Sequence, residues 1–225
     1  MLSTILKWLV VISLPPLLLA GSVAMAVNSP SFYEYGFAKY HINEHTGISA
    51  DDLNDTSQQL ISYFNGSSEE FPDITVTLNS QPFTLFNERE AGHMRDVRVL
   101  FRLDYLVLLI SGVVVAAGAA ILAGGKEWRP KLASAMRWGG LVTLGLLGLL
   151  GAGMMLDFES LFWQFHLLSF SNDLWLLNPA TDYLIMLFPQ GFWFDAALLV
   201  AVLAGVGSGV FWGVGHFMGR RYPAG

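Results

Sequence analysis

Cysteine is absent from this 225-residue chain, which excludes disulfides, thiolate-bound metal and a cysteine nucleophile. Charge is scarce as well. Asp, Glu, Lys and Arg make up 13% of the residues, against about 25% in an ordinary soluble domain. Twelve Lys and Arg are outnumbered by eighteen Asp and Glu, for a net charge of −6, and they form no stripe able to neutralise phosphates, so there is no nucleic-acid footprint. What is present instead is apolar: 53% of the residues are hydrophobic and the mean hydropathy is +0.49. Such a chain uses lipid as part of its solvent.

Crossing a bilayer takes about 20 mostly apolar residues. Four segments qualify: Ile5 to Val27, interrupted by Pro15-Pro16, then Leu100 to Ala123, Gly139 to Leu156, and Phe194 to Met218. The first also carries Lys7 and Ala24-Met25-Ala26, in the manner of a secretory signal with its cleavage site. Its apolar run is longer than a signal core, and paired prolines are tolerated in a packed span, so we read it as a retained helix. The expected fold is a mainly α polytopic membrane protein with a small α+β extracytoplasmic cap and an interfacial aromatic segment. In residues, the spans fall at 1–27, 98–123 and 139–156, with the fourth and its cytoplasmic tail at 194–225; the cap is 28–97, a cytoplasmic loop 124–138 and the aromatic segment 157–193. Lys7, Lys126, Arg129, Lys131, Arg137, Arg220 and Arg221 mark the cytoplasmic face, which places both termini there and the acidic cap outside, as in a bacterial cytoplasmic membrane.

Within the cap, Ser49-Ala50-Asp51-Asp52 starts a helix with a serine N-cap and acids in its first turn. Leu53, Leu60, Ile61 and Phe64 form its apolar stripe, and Asn65-Gly66 ends it. Ile74 to Leu78 alternates as a strand, Asn79-Ser80-Gln81-Pro82 turns, and Phe83-Thr84-Leu85 returns. Asn87 followed by Glu90 marks a second helix start, running through His93 into the second span. On that helix Arg89, Arg95, Arg98 and Arg102 alternate with Glu88, Glu90, Asp96 and Asp104, which predicts intrahelical ion pairs. The aromatic segment is predicted to form short interfacial helices broken at Ser171-Asn172 and Pro179, with a lipid-facing cleft between it and the cap.

Two histidine groups invite chemistry. His41-Ile42-Asn43-Glu44-His45 fits the H-x-x-E-H pattern of inverted zinc peptidases. It lies between Gly36 and Gly47 with little room for a long helix, and although many outer acids could supply the third ligand, three fixed letters are a weak signal; a chance match is the better reading and no metal or cofactor is expected. His93 is different, being seven residues, or about 10 Å of helix, ahead of Leu100 and hence at headgroup depth. Asp96, three residues on, shares its face. His166, amid Phe165 and Phe170, returns to the same depth, followed by the polar partners Asn172 and Asp173 and by Trp175. The dull alternative for each is a boundary or core histidine.

The order of motifs is distinctive. Tyr35-Gly36-Phe37, Thr46-Gly47-Ile48-Ser49, Asp52-Leu53 and Tyr63-Phe64-Asn65-Gly66 lead to Glu90-x-x-His93-Met94-x-Asp96-Val97, and then to Phe165-His166-Leu167-x-x-Phe170-x-Asn172-Asp173-x-Trp175 with Pro179 and Pro189. This succession resembles the bacterial lipoprotein intramolecular transacylase (Lit) family over most of the chain. The resemblance implies a four-helix membrane enzyme acting on diacylated lipoprotein N-termini and membrane lipid. Such an enzyme moves an acyl chain from the diacylglyceryl ester to the α-amino group of the same cysteine, giving an N-acylated lyso-form. It implies His93 and His166 as catalytic residues, with Asp96, Asn172, Asp173 and Trp175 supporting or orienting them.

The chemistry is consistent with that resemblance. Ester aminolysis needs a neutral amine, a base and help for the oxyanion. Donor and acceptor belong to one molecule, so no enzyme nucleophile is required, in keeping with the missing cysteine. On this reading His93, oriented by Asp96, is the candidate base and His166 the stabiliser, with the two roles exchangeable. The competing expectation is a non-enzymatic membrane accessory protein with a partner-binding cap.

Overall fold

The structure, a computed structural model, describes residues 2–66, 70–125 and 127–220. Its elements are α1 (Leu2–Val27), α2 (Pro30–Lys39), α3 (Ile42–Thr46), α4 (Ala50–Asn65), β1 (Thr75–Leu78), β2 (Gln81–Thr84), α5 (Glu88–Ala123), α6 (Trp128–Ser169), α7 (Tyr183–Leu187) and α8 (Gln190–Arg220). Among the described residues, α1, α5, α6 and α8 are the helices long and apolar enough to cross a membrane. The chain divides into two compact units.

The first unit comprises Met1–Ala24, Asp104–Leu156 and Leu198–Gly225, and thus the apolar lengths of the four long helices. Helix α1 passes Pro15-Pro16 without a break and buries Val10, Val11 and Leu14. Backbones approach closely where side chains are missing. A Cβ on Gly140 would lie 2.7 Å from the Ser208 carbonyl oxygen, and one on Gly215 2.7 Å from that of Ala133, so α6 and α8 touch along Ser208, Trp212 and Gly215. The four-residue repeat Gly205, Gly209, Gly213 reads as a packing face in sequence, but added Cβ atoms at Gly209 and Gly213 would meet nothing within 4 Å. Near-contact therefore follows the stripe one step away. The connection between the second and third long helices is also shorter than expected, because α6 begins at Trp128 and takes Pro130 into its first turn, where a missing N–H costs nothing.

The second unit comprises Met25–Leu103 and Asp157–Ala197. Ser49 caps α4 by accepting a hydrogen bond from Asp52 N at 3.1 Å, a contact whose loss costs about 1 kcal/mol. Leu53, Leu60 and Phe64 point into the core with Ile48, Ile74, Val76 and Leu85. The β1–β2 ribbon is tighter than the sequence suggests. Asn79 and Ser80, both at positive φ, form a two-residue turn; Leu78 pairs with Gln81, and Pro82 stands in the exposed strand rather than in the turn. Helix α6 loses its phase at Asp157 (φ −161°, ψ 85°), whose carboxylate accepts from Ser160 N at 2.9 Å and so caps the aromatic stretch that runs on to Ser169. That stretch is one helix rather than several; the breaks come after it, in the loop around Ser171-Asn172 and Pro179.

The aromatic-rich segment divides in two. Phe188 and Phe192 are buried against Tyr33 and Phe37 in the core of the unit, with ring centroids 5.8–6.0 Å apart for Tyr33–Phe188, Tyr33–Phe192 and Phe37–Phe188. Trp163 and Phe165 stay exposed. Three members of the predicted intrahelical ion pairs have other partners. Glu90 is fully buried and serves backbone N–H groups, Arg89 donates to the Asp173 carbonyl, and Arg98 lies over the Tyr63 ring at 4.5 Å while donating to the Gly66 carbonyl.

The glycine contacts predict a paired outcome. Gly140→Ala is expected to lower the thermal midpoint in detergent, because the helices must part, whereas Gly209→Ala is expected to leave it unchanged or slightly raised. Differential scanning fluorimetry of the two variants is the check, and equal midpoints would contradict the packing stripe.

Candidate active site

The second unit brings together the two histidines that the sequence separates by 73 positions. His93 sits in the second turn of α5 and His166 near the C-terminus of α6, and their ring centroids are 6.1 Å apart at an interplanar angle of 31°. Both rings are buried, at 7% and 9% exposure, which removes them from the class of solvated boundary histidines. Phe170 lies edge-on to His93 at 4.9 Å and 5.5 Å from His166, closing one side of the pair. Trp175 lies 4.9 Å from His166 and in turn meets Trp163 edge-on.

The two imidazoles differ in protonation chemistry. His166 Nδ1 is 2.7 Å from the carbonyl oxygen of Phe162, one turn earlier on the same helix. A carbonyl only accepts, so Nδ1 carries the proton and donates it. Neutral His166 therefore keeps a bare lone pair on Nε2. His93 Nδ1 is buried with no hydrogen-bond partner among the described residues. An orphaned buried N–H is costlier and rarer than an under-used acceptor, so the proton belongs on Nε2, leaving His93 as an N–H donor.

Burial disfavours the charged form of both rings. Both histidines precede or follow the apolar spans at Leu100–Ala123 and Gly139–Leu156, so they sit outside the hydrocarbon-length stretches. Burial, reinforced by the neighbouring His166, pushes His93 down from the usual 6.5 to about 4, with Asp96 opposing weakly. Burial also lowers His166, and its bond to Phe162 offsets part of that.

The supporting residues hold the loop rather than the rings. Asp96 accepts from Asn172 Nδ2 at 2.9 Å, and Asn172 Oδ1 accepts from Leu174 N at 3.0 Å. Asp173 enters through its backbone carbonyl, bonded by Arg89. Gly92, the neighbour of His93, leaves room for Leu174, since a Cβ there would lie 2.9 Å from Leu174 Cδ1. These contacts seat the loop whose Trp175 covers His166. The carboxylate of Asp96 is thus engaged by Asn172, and it acts on His93 through its charge.

Sequence reasoning names Phe170 beside His166 but misses Phe162 and Trp193 as parts of the site. Trp193 stacks on Phe162 at 6.0 Å and donates from Nε1 to the Phe188 carbonyl at 3.1 Å. The only advance signal is the i−4 position of Phe162 relative to His166. The histidines of the H-x-x-E-H match lie elsewhere. His41 stands at the N-cap position of the five-residue α3 without a side-chain capping bond, its exposed ring 3.4 Å from the Glu44 carboxylate, and among the described residues no group of three or more His, Asp or Glu gathers in a metal-binding arrangement.

The protonation states are open to direct measurement. Nitrogen-15 spectra of histidine-labelled protein are expected to show His93 neutral at pH 5.5 and, at pH 7, neutral His166 bearing its proton on Nδ1. Because the unfolded ring titrates near 6.5 and the folded one about 4, stability contributed by the neutral site is complete above 6.5 and declines as pH falls toward 4. A protonated His93 at pH 5.5 would contradict this picture.

The family described as lipoprotein intramolecular transacylase Lit matches residues 8–193. The in meso structure of the membrane integral lipoprotein intramolecular transacylase Lit from Bacillus cereus superposes with a TM-score of 0.83 at 20% identity, over 98% of this chain and 97% of that one. A form of the same protein with a histidine replaced by arginine gives 0.78 at 19% identity, over 98% and 93%. At such identity these likenesses establish the fold. An uncharacterised protein of Aquifex aeolicus (strain VF5) is 27% identical over 136 residues, 60% of this chain, and the match spans 57% of that relative's length. The chain is a multi-pass membrane protein belonging to the Lit family.

Proposed function

We propose that the protein carries out intramolecular acyl transfer on membrane lipoproteins, from the diacylglyceryl ester to the α-amino group of the N-terminal cysteine. The observation that carries the proposal is the buried His93–His166 pair, 6.1 Å apart, in a chain of the Lit family. In the reaction the amine nitrogen forms a bond to the acyl carbon and the ester C–O bond breaks. The amine proton ends on the glycerol oxygen.

The ring chemistry supports an assignment of roles opposite to the first choice from sequence. His166, with its Nδ1–H held by Phe162 and Nε2 bare, is the base that collects the amine proton and returns it to the leaving oxygen. His93, a neutral donor of low basicity, stabilises the oxyanion through Nε2–H, a use suited to an imidazole that burial keeps from charging. Asp96, Asn172, Asp173 and Trp175 orient the pair by seating the loop across His166. Holding donor and acceptor together supplies much of the rate, and several kcal/mol is a reasonable share for it. The bias of Lys and Arg toward residues 126–137 and the C-terminus supports cytoplasmic termini and an extracytoplasmic second unit, in a bacterial cytoplasmic membrane.

Lipoproteins purified from bacterial cells with and without this protein are expected to differ by mass spectrometry, with N-acylated lyso-forms only where it is expressed. His93→Gln and His166→Gln are each expected to reduce conversion by roughly 10²–10⁴-fold while the protein still inserts. Full conversion by both variants would favour a non-enzymatic accessory role.

A further inference from the structure

Glu90 is the most deeply buried charged side chain among the described residues, with 0% exposure, and the reaction outlined above gives it no task. Its two oxygens are both occupied, by backbone donors from different parts of the chain. Oε2 accepts from Asn87 N at 2.8 Å, completing the capping box at the start of α5, where Asn87 Oδ1 accepts from Arg89 N and Glu90 N at 2.9 and 3.0 Å. Oε1 accepts from Leu184 N at 2.6 Å, ninety-four residues away in α7.

That second bond is unusual for its position. The N-cap residue of α7 is Asp182, whose side chain makes no capping bond to its own helix. Its carboxylate instead turns back to accept from Asn178 N at 2.7 Å and from Asn87 Nδ2 at 3.2 Å. The free amide at the start of α7 is therefore capped in trans, by a side chain of α5. Asn87, Glu90 and Asp182 close a network that ties the first turn of α5 to the first turn of α7.

Each end of the tie leads to one imidazole. Glu90 and His93 are three residues apart and so share a face of α5. From α7 the chain of contacts runs through the Phe188 carbonyl to Trp193 Nε1, from the Trp193 ring to Phe162, and from the Phe162 carbonyl to His166 Nδ1. We infer that Glu90 is a positioning residue which, by capping α5 and α7 at once, sets the spacing of His93 and His166. This rests on the reading of those two rings as the reacting pair, and the experiment separates the two ideas.

Glu90→Gln keeps the size of the side chain but sets an N–H donor against a backbone N–H. With a synthetic diacylated lipopeptide as substrate, it is expected to lower kcat at least tenfold with KM within twofold of the parent. Solid-state NMR of the histidine-labelled protein is expected to show a weakened dipolar contact between the two rings. A milder variant, Asn87→Ser, retains an N-cap for α5 but loses the amide bridge to Asp182; it is expected to move kcat and the ring contact in the same direction by a smaller factor. Should both variants only lower the thermal midpoint, with kcat and ring contact as in the parent, Glu90 is a structural residue and the inference is overturned. If the histidine variants prove fully active but Glu90→Gln still loosens the ring contact, the positioning holds and the catalytic reading fails.

Discussion

Backbone polar groups beside hydrocarbon must find partners within the protein, and that requirement shapes everything else in this molecule. Four long helices meet it in the first unit through their own i→i−4 bonds, except where Pro15 and Pro16 of α1 have no N–H to donate. The second unit holds the short helices, the ribbon and the irregular loop 170–182, and there the same requirement falls on side chains. Asn87, Glu90, Asn172, Asp182 and Asn178 each accept from a backbone N–H that no helix or ladder serves. A chain with only 13% charged residues spends several of them on its own backbone.

The site follows from that economy. A buried imidazole is held neutral by the cost of charging it in apolar surroundings, so the aromatic shell of Phe162, Phe170 and Trp175 does chemical as well as steric service. A single carbonyl then breaks the symmetry of the pair. Phe162 directs the proton of His166 to Nδ1, while the corresponding atom of His93 is left without a partner among the described residues. One acceptor and one donor result from two chemically identical side chains.

Much of this was visible in the residues before any coordinates. The four spans followed from runs of apolar length, the α4 start from Ser49, the ribbon from alternation around Asn79-Ser80, and His93 and His166 from their depth beside the spans. Where the reading slipped, the reason was register. The glycine repeat at 205, 209 and 213 was periodic, yet Gly209 and Gly213 faced open space, because a stripe in sequence does not say which neighbour a helix will have. The arginines and acids of α5 were spaced for pairing, but Glu90 found better use against amides and Arg98 against an aromatic face. Aromatic density suggested a headgroup belt, yet Phe188 and Phe192 proved to be core with Tyr183 and Trp193 packed against them, since periodicity cannot separate a lipid-facing ring from a buried one.

Local composition and spacing were thus enough for the number of membrane helices, and they singled out two imidazoles as candidates, since each depends on neighbours within a few turns. The 6.1 Å approach of the rings, the tautomer of His166, and the capping of α7 by Glu90 depend on atoms between 4 and 94 positions apart meeting at hydrogen-bond or van der Waals distance. No single segment encodes such a meeting; it is set when packing chooses one phase for every helix at once.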